Sequence, residues 1–388
     1  MKIFDNKPEI TADEVLNALT TSSNQVKRNL PLFTYVCQNH SSVDNFYPTC
    51  ENDQWTCGFW PGEIWLSYEF TKNDVFKYAG LILADNFLER IEKKISVEHH
   101  DMGFLYVPSC VSAYKLTGDT KARRAALLAA DQLISRFHPV GEFLQAWGEL
   151  GAKDNYRYII DCLLNLPLLY WASEETGDKR YEDIARRHIA TCLKYSIRSN
   201  GSTYHTVFMN PETGAMSHGA TCQGYNDDSD WARGQAWAVY GVALSYRYVR
   251  DPEYLKAFRR VIKFFLNGLP NDLIPYWDMI FTEGEREPRD SSSASIVVCG
   301  LLEMASLVEP EEAETYAKIA KQVLKSVVDN YSVKDFSISN GLVLHATYSK
   351  KSPYNTCTPE GVDECTSWGD YFYMEALMRM NGQWNSYW

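Results

Sequence analysis

A unit that recurs five times along the chain constrains the fold more than any other feature. It consists of an aromatic-rich helix, a short polar turn and an amphipathic helix. The turns read EFTKNDVF (69–76), KLTGDTKA (115–122), EETGDKRY (174–181), YVRDPEYL (248–255) and LVEPEEAE (307–314). Each carries a Gly, Pro or Asx residue where one helix stops and the next is capped. The segments before the turns are FWPGEIWLSYEF, FLYVPSCVSAYKL, CLLNLPLLYWASEE, ARGQAWAVYGVALSYRYV and SASIVVCGLLEMASLV, apolar around most of a helical circumference. Those after the turns, such as DKRYEDIARRHIATCLKYS, are charged on one face. Helices apolar all round belong inside a fold, and two-faced helices belong outside.

WGDYFYMEALMRM near the C-terminus supplies a sixth inner helix, and TADEVLNALTTSSNQVKRNL near the N-terminus its outer partner, which closes a ring. The expected fold is therefore all-α, an (α/α)6 toroid of six inner and six outer helices, forming one domain over residues 1–388. An open helical solenoid used for protein binding is the competing architecture. Against it stand the irregular repeat spacing and six long non-helical segments rich in Trp, His and Asp: 38–58, 96–103, 137–160, 200–231, 271–291 and 336–367. In a closed ring these gather at one mouth, and loops on a rigid scaffold are where function concentrates.

The net charge of −12 argues against a nucleic-acid or anionic-membrane partner, since both require a basic surface. It leaves room for a small anionic ligand held by a few cations in a cleft. No stretch approaches the roughly 20 apolar residues that span a bilayer, and the N-terminus carries no apolar run of export-signal length. The ten cysteines lack a CxxC pair, and several lie in apolar helical runs. They read as buried free thiols in a reducing cytoplasm. The chain is expected to be a monomer or a weak homo-oligomer.

The mouth collects WTCGFWPG (55–62), HHDMGF (99–104), YIIDCLLN (158–165), YHTVF (204–208) and GATCQGYNDDSDWARGQAW (219–237). Trp55, Trp60, Trp231 and Trp237 offer flat apolar faces, and Tyr and His add hydrogen-bonding edges, a combination that suits a sugar ring. Core packing is the alternative for any one of these tryptophans. Asp161 opens an inner helix in an apolar setting, where burial of an unpaired charge is costly. It is neutral, a helix cap or a catalytic group. Burial raises its pKa and the helix N-terminus lowers it. Asp101 also opens an inner helix, so both carboxylates can face one axial pocket. Two carboxylates in unlike surroundings are a common arrangement for acid/base chemistry on sugars. His99-His100-Asp101 admits a metal site, a cap or half of that pair. Adjacent residues rarely bind one ion together, and neither HxxxH nor HExxH is present. Arg233 offers a planar fork for a ligand carboxylate, with a structural role as the alternative. NDDSD (226–230) lacks the glycine and distal glutamate of an EF-hand and reads as a capped turn.

With these residues in view, the chain resembles the unsaturated glucuronyl hydrolases, glycoside hydrolase family 88, from about Trp55 to the C-terminus. WTCGFWPGEIWLSYE, HHDMGF, IIDCLLNLPLLYWA, HTVFMNPETG and GATCQGYNDDSDWARGQAWAVYG carry the likeness, together with the spacing of Asp101 and Asp161. The resemblance implies an (α/α)6 barrel and no metal or organic cofactor. The substrate it implies is a lyase-generated glycosaminoglycan disaccharide with 4-deoxy-hex-4-enuronic acid at its non-reducing end. The chemistry is vinyl-ether hydration: protonation at C4, addition of water at C5, and collapse of the hemiketal to release the second sugar. Asp161 matches the general acid/base and Asp101 the supporting aspartate. Trp55 and Trp237 match walls of the sugar site, His100, His205 and Gln223 its hydrogen-bonding groups, and Arg233 the contact to the uronate end. Members that favour sulfated substrates carry Ser-x-x-Ser-x-Lys before the last inner helix. Ser349 and Ser352 fit that pattern, but Tyr354 stands at the lysine position, and Lys350 and Lys351 are the nearby cations. The nearest rival is the unsaturated rhamnogalacturonyl hydrolases of family 105, which act on pectin fragments with the same fold and chemistry. A non-catalytic carbohydrate-binding barrel, a third reading, would need neither aspartate.

Overall fold

The computed structural model describes residues 2–382 and 384–388. Among them twelve helical units alternate between an inner and an outer ring. The outer helices are α1 (Ala12–Phe33), α3 (Asp74–Glu92), α5 (Thr120–Ile134), α7 (Lys179–Tyr195), α9 (Pro252–Asn267) and α11 (Pro310–Ser326). The inner ones are α2 (Phe59–Thr71), α4, α6, α8 (Ala232–Val249), α10 (Ser291–Ala305) and α12 (Ser367–Met380). Two inner helices are composite. In α4, Met102–Tyr106 runs through a π turn at Val107–Val111 into Ser112–Thr117, and α6 (Pro167–Thr176) is entered through a 3₁₀ turn at Ile160–Leu164. The π turn contains Pro108, whose missing N–H cannot close an α-helical bond and whose ring needs extra room.

Four of the five repeat turns share one device. Lys72, Gly118, Gly177 and Arg250 end their inner helices in the left-handed conformation, at φ of 55°, 74°, 75° and 59°. The next residue in each case, Asn73, Asp119, Asp178 or Asp251, caps the following outer helix through its side chain. The left-handed residue reverses the chain and the Asx side chain satisfies the new helix's free N–H groups. Packing of α2 against α12, and of α1 against both, closes the ring.

The six inter-helix segments gather at one mouth and are laced together. Ser42 N–H donates to Cys365 O at 3.0 Å, Ser291 N–H to His345 O at 3.2 Å, Met279 N–H to Asp230 O at 2.8 Å, Ile160 N–H to His205 O at 2.9 Å and His100 N–H to Ala146 O at 3.1 Å. Buried Arg90 completes the circuit, donating to Gln54 O and Ser96 O. Small antiparallel sheets support this collar, the largest joining Arg157–Ile159, Thr206–Met209 and Met216–Ala220. Strands of two to five residues are too short to leave a periodic signal, so these sheets have no counterpart in the sequence pattern.

Candidate active site

Asp161 is the second residue of the 3₁₀ turn leading into α6, and Asp101 occupies the N-cap position of α4. The two turns approach closely because position 103 is glycine: a Cβ there would lie 2.4 Å from the Asn165 Cα. Asn165 then ties them together. Its Oδ1 accepts the Phe104 N–H at 2.8 Å, while its Nδ2 donates to Asp161 O at 3.2 Å and lies 3.5 Å from Asp101 Oδ1.

Neither aspartate behaves as a structural cap. The Asp101 side chain makes no capping bond, and Asp161 keeps a buried Oδ1 without a partner. Their surroundings push their acidities apart. Burial, followed by the negative charge of Asp101, drives the Asp161 pKa up to about 7, against the pull of Arg233. Burial also opposes ionisation of Asp101, but His100, His99 and Asn165 outweigh it and hold that carboxyl below its ordinary value. Near neutrality Asp101 is an anion and Asp161 retains a share of its proton, the division of labour that acid/base chemistry requires.

Backbone groups fix the ring orientation of His99 and His205, while His100 faces Asp101. His99 Nε2 donates to Ser96 O at 2.9 Å, and its Nδ1 accepts the Asp101 N–H at 3.1 Å. Its ring stacks on Trp147 with centroids 4.2 Å apart. His99 therefore positions Asp101, a role that its sequence context left open. His100 Nε2 lies 3.3 Å from Asp101 Oδ1 and its Nδ1 is buried without a partner. Burial lowers its pKa to about 4. His205 Nδ1 accepts the Cys222 N–H at 3.1 Å, which leaves the proton on Nε2, and burial lowers its pKa to about 3.

One wall is a continuous stack. Trp55 lies on Trp368 at 5.3 Å, the Arg233 guanidinium is 4.8 Å from Trp368 and 4.5 Å from Trp231, and Trp231 is 4.2 Å from His205. Trp237 is buried beside Phe104 at 5.0 Å, and its indole N–H has no partner. Trp60 instead packs in the core and donates to Phe33 O. The fork of Arg233 is largely spent on the protein. Its Nη1 donates to Thr347 O and its Nη2 to Tyr348 O, each at 2.6 Å, and Nη2 also reaches the Gln223 carbonyl. Only its Nε is unpartnered.

Ser349 and Ser352 likewise have internal partners. Ser349 Oγ donates to Thr358 O and Ser352 Oγ to Tyr225 O, so these hydroxyls knit their own loop to its neighbour. Lys350 pairs with Glu287 at 2.9 Å and Lys351 donates to Asn355 O. The sequence reading missed Asn165, Tyr348 and Trp368. Asn165 is four residues beyond Asp161, a spacing that could have drawn attention to it. Trp368 stands in the first turn of α12, and Tyr348 reaches the wall only through the folded return of the last inter-helix segment. Among the described residues no group of three or more His, Cys, Asp or Glu side chains is arranged to hold a metal ion.

Residues 33–378 match the model of Glycosyl Hydrolase Family 88. The chain belongs to this family. It is 44% identical to the unsaturated chondroitin disaccharide hydrolase of Streptococcus pneumoniae, over 99% of this chain and 96% of that protein. It is 37% identical to the unsaturated glucuronyl hydrolase of Bacillus sp. strain GL1, over 93% of this chain and 95% of that one. The crystal structure of the unsaturated glucuronyl hydrolase from Streptococcus agalactiae superposes with a TM-score of 0.95 at 41% identity, covering 100% of this chain and 96% of that chain. These relatives span the whole ring, so the (α/α)6 toroid and its mouth are features of the family.

Proposed function

We propose that the protein removes the 4-deoxy-hex-4-enuronic acid residue from the non-reducing end of lyase-generated glycosaminoglycan disaccharides, by hydrating its C4=C5 vinyl ether. The observation that carries this reading is the aspartate pair: one carboxyl with a raised pKa beside one held ionised. Protonation of an enol-ether carbon needs an acid that still holds its proton near neutrality, and Asp161 meets that demand. It delivers the proton to C4, and the positive charge developing at C5 and the ring oxygen is steadied by anionic Asp101. The Asp161 carboxylate then takes a proton from the water that adds at C5, which restores the acid. The hemiketal opens and collapses, freeing the second sugar.

The other residues orient the ring. Trp55 and Trp237 wall it, the His205 Nε2–H and the bare His100 Nδ1 supply one donor and one acceptor, and Gln223 is steadied by Arg233. Arg233 offers the uronate its fixed charge and its free Nε. Ser349 and Ser352 shape the rim of the site. Similarity to the chondroitin disaccharide hydrolases, and to a Streptococcus agalactiae glucuronyl hydrolase mutant complexed with dGlcA-GalNAc6S (TM-score 0.87, 38% identity), supports this substrate class over pectin fragments. The ten unpaired cysteines favour action in the reducing cytoplasm. We take the chain to act as one catalytic domain, a monomer or a weak homo-oligomer, without a cofactor.

Loss of the enuronate absorbance band on mixing with an unsaturated chondroitin or hyaluronan disaccharide tests the proposal. Turnover by the wild type and a rate lower by about 10²–10⁴ in Asp161→Asn is the expected result. Equal behaviour of the two proteins would remove Asp161 from the mechanism.

A further inference from the structure

An anionic disaccharide meets a protein of net charge −12, so the cations at the mouth matter. Most are already spent. Arg233 is held by backbone carbonyls and Asp290, Lys350 by Glu287, Arg198 by Asp230 at 2.5 Å and Arg289 by Asp272 at 3.2 Å. Arg157 differs. Among the described residues its side chain forms no ion pair and no hydrogen bond, and its Nε is buried without a partner.

Arg157 begins the strand that runs straight into the Asp161 turn, four residues before that carboxyl. Its carbonyl accepts the Ala146 N–H at 3.0 Å, and the Ala146 carbonyl accepts the His100 N–H, so its backbone is locked to the aspartate pair. Strand alternation sends the neighbouring Tyr158 into the core and leaves Arg157 half-buried at the rim. The guanidinium rests 5.4 Å over the Phe208 ring, and Phe208 in turn stacks on exposed His218 at 4.6 Å and 7°. Its charge reaches the site: burial is the main cause that lowers the pKa values of His100 and His205, and the nearby Arg157 cation adds to it in both.

We propose that Arg157 is a specificity-determining residue that binds an oxyanion, sulfate or carboxylate, on the sugar released from the enuronate. This rests on the function proposed above. The enuronate must lie between Asp101 and Asp161 at the floor, so the leaving sugar extends outward toward the rim where Arg157 waits on its aromatic support. A planar guanidinium with unfilled donors matches such a group in a bidentate fashion. The serine-rich loop does not compete for it, because its hydroxyls and lysines are engaged within the protein.

The test compares wild type, Arg157→Gln and Arg157→Lys on two substrates, the enuronate linked to N-acetylgalactosamine and the same disaccharide bearing a 6-sulfate. In Arg157→Gln the ratio of kcat/KM for sulfated over unsulfated substrate should fall about tenfold or more, chiefly through KM, because a charge-assisted bond is lost. Arg157→Lys should recover part of that ratio. An unchanged ratio, or equal losses on both substrates, overturns the assignment. Wild-type turnover of neither disaccharide would sink the proposed function instead. Arg157 is then still decided by titrating N-acetylgalactosamine 6-sulfate against intrinsic tryptophan fluorescence: weaker binding to Arg157→Gln than to wild type supports it, and equal binding refutes it.

Discussion

Asp161→Asn separates a catalytic carboxyl from a structural one, because the two roles move stability in opposite directions. In the folded chain the Asp161 pKa stands at about 7 rather than 3.8. Below pH 3.8 the group is neutral whether the chain is folded or not, and it contributes no pH-dependent term. As pH rises through that value the unfolded chain releases the proton while the folded chain keeps it, so ionisation favours unfolding. The penalty is fully developed above about pH 7. At 1.36 kcal/mol per pH unit, a rise from 3.8 to about 7 corresponds to about 4 kcal/mol. The carboxyl retains some solvent contact, so about 2 kcal/mol is the more realistic figure. Asparagine is isosteric and carries no charge, and the orphaned Oδ1 means that no hydrogen bond from that atom is lost. At pH 8 the variant should therefore melt about 2 °C above wild type, a chain of this length gaining roughly 1 °C per kcal/mol. At pH 4 the difference should vanish. Activity should fall by about 10²–10⁴, the usual worth of a general acid/base. Differential scanning fluorimetry across pH 4–8, alongside the absorbance assay, reads both quantities. A variant less stable than wild type at pH 8 would make Asp161 a structural group and refute the reasoning.

Since Asp161 must be protonated to act, kcat/KM should decline as pH rises through about 7, and Asp101→Asn should move that limb to lower pH by withdrawing the negative charge that raises it; a pH–rate profile that ignores Asp101 would contradict the coupling. Asn165→Ala removes a buried acceptor for Phe104 N–H and a donor to Asp161 O, so it should cost about 1–3 kcal/mol of stability in chemical denaturation and lower kcat as well. Treatment with EDTA should leave the rate unchanged, and inhibition reversed by an added divalent metal would demand a metal ion in the mechanism.

Much of the fold is written locally. A helix apolar on all sides must be buried, and one with a single apolar face must cover it, so the alternation of such helices implies two concentric rings before any contact is known. The Gly-Asp and Asx turns between them are equally local, because a left-handed residue followed by a capping side chain needs only its neighbours. Asp101 and Asp161 were legible for a related reason: a carboxylate within an apolar helix start is conspicuous. What each polar group has left to offer was not legible. Arg233 looks like a free carboxylate anchor in sequence, yet the carbonyls of Thr347 and Tyr348, more than a hundred residues away, fill its fork. Arg157 attracts no notice in sequence and emerges as an unpaired cation at the mouth with a buried, unpartnered Nε. The separation of the aspartate acidities is likewise a tertiary product, since it depends on Asn165 and Gly103 bringing two helix starts together and on burial by segments from all around the ring. Periodicity determines which faces meet, because it is set by bonds along the chain; hydrogen-bond satisfaction and electrostatics depend on distances between residues far apart in sequence, and only the closed ring fixes those.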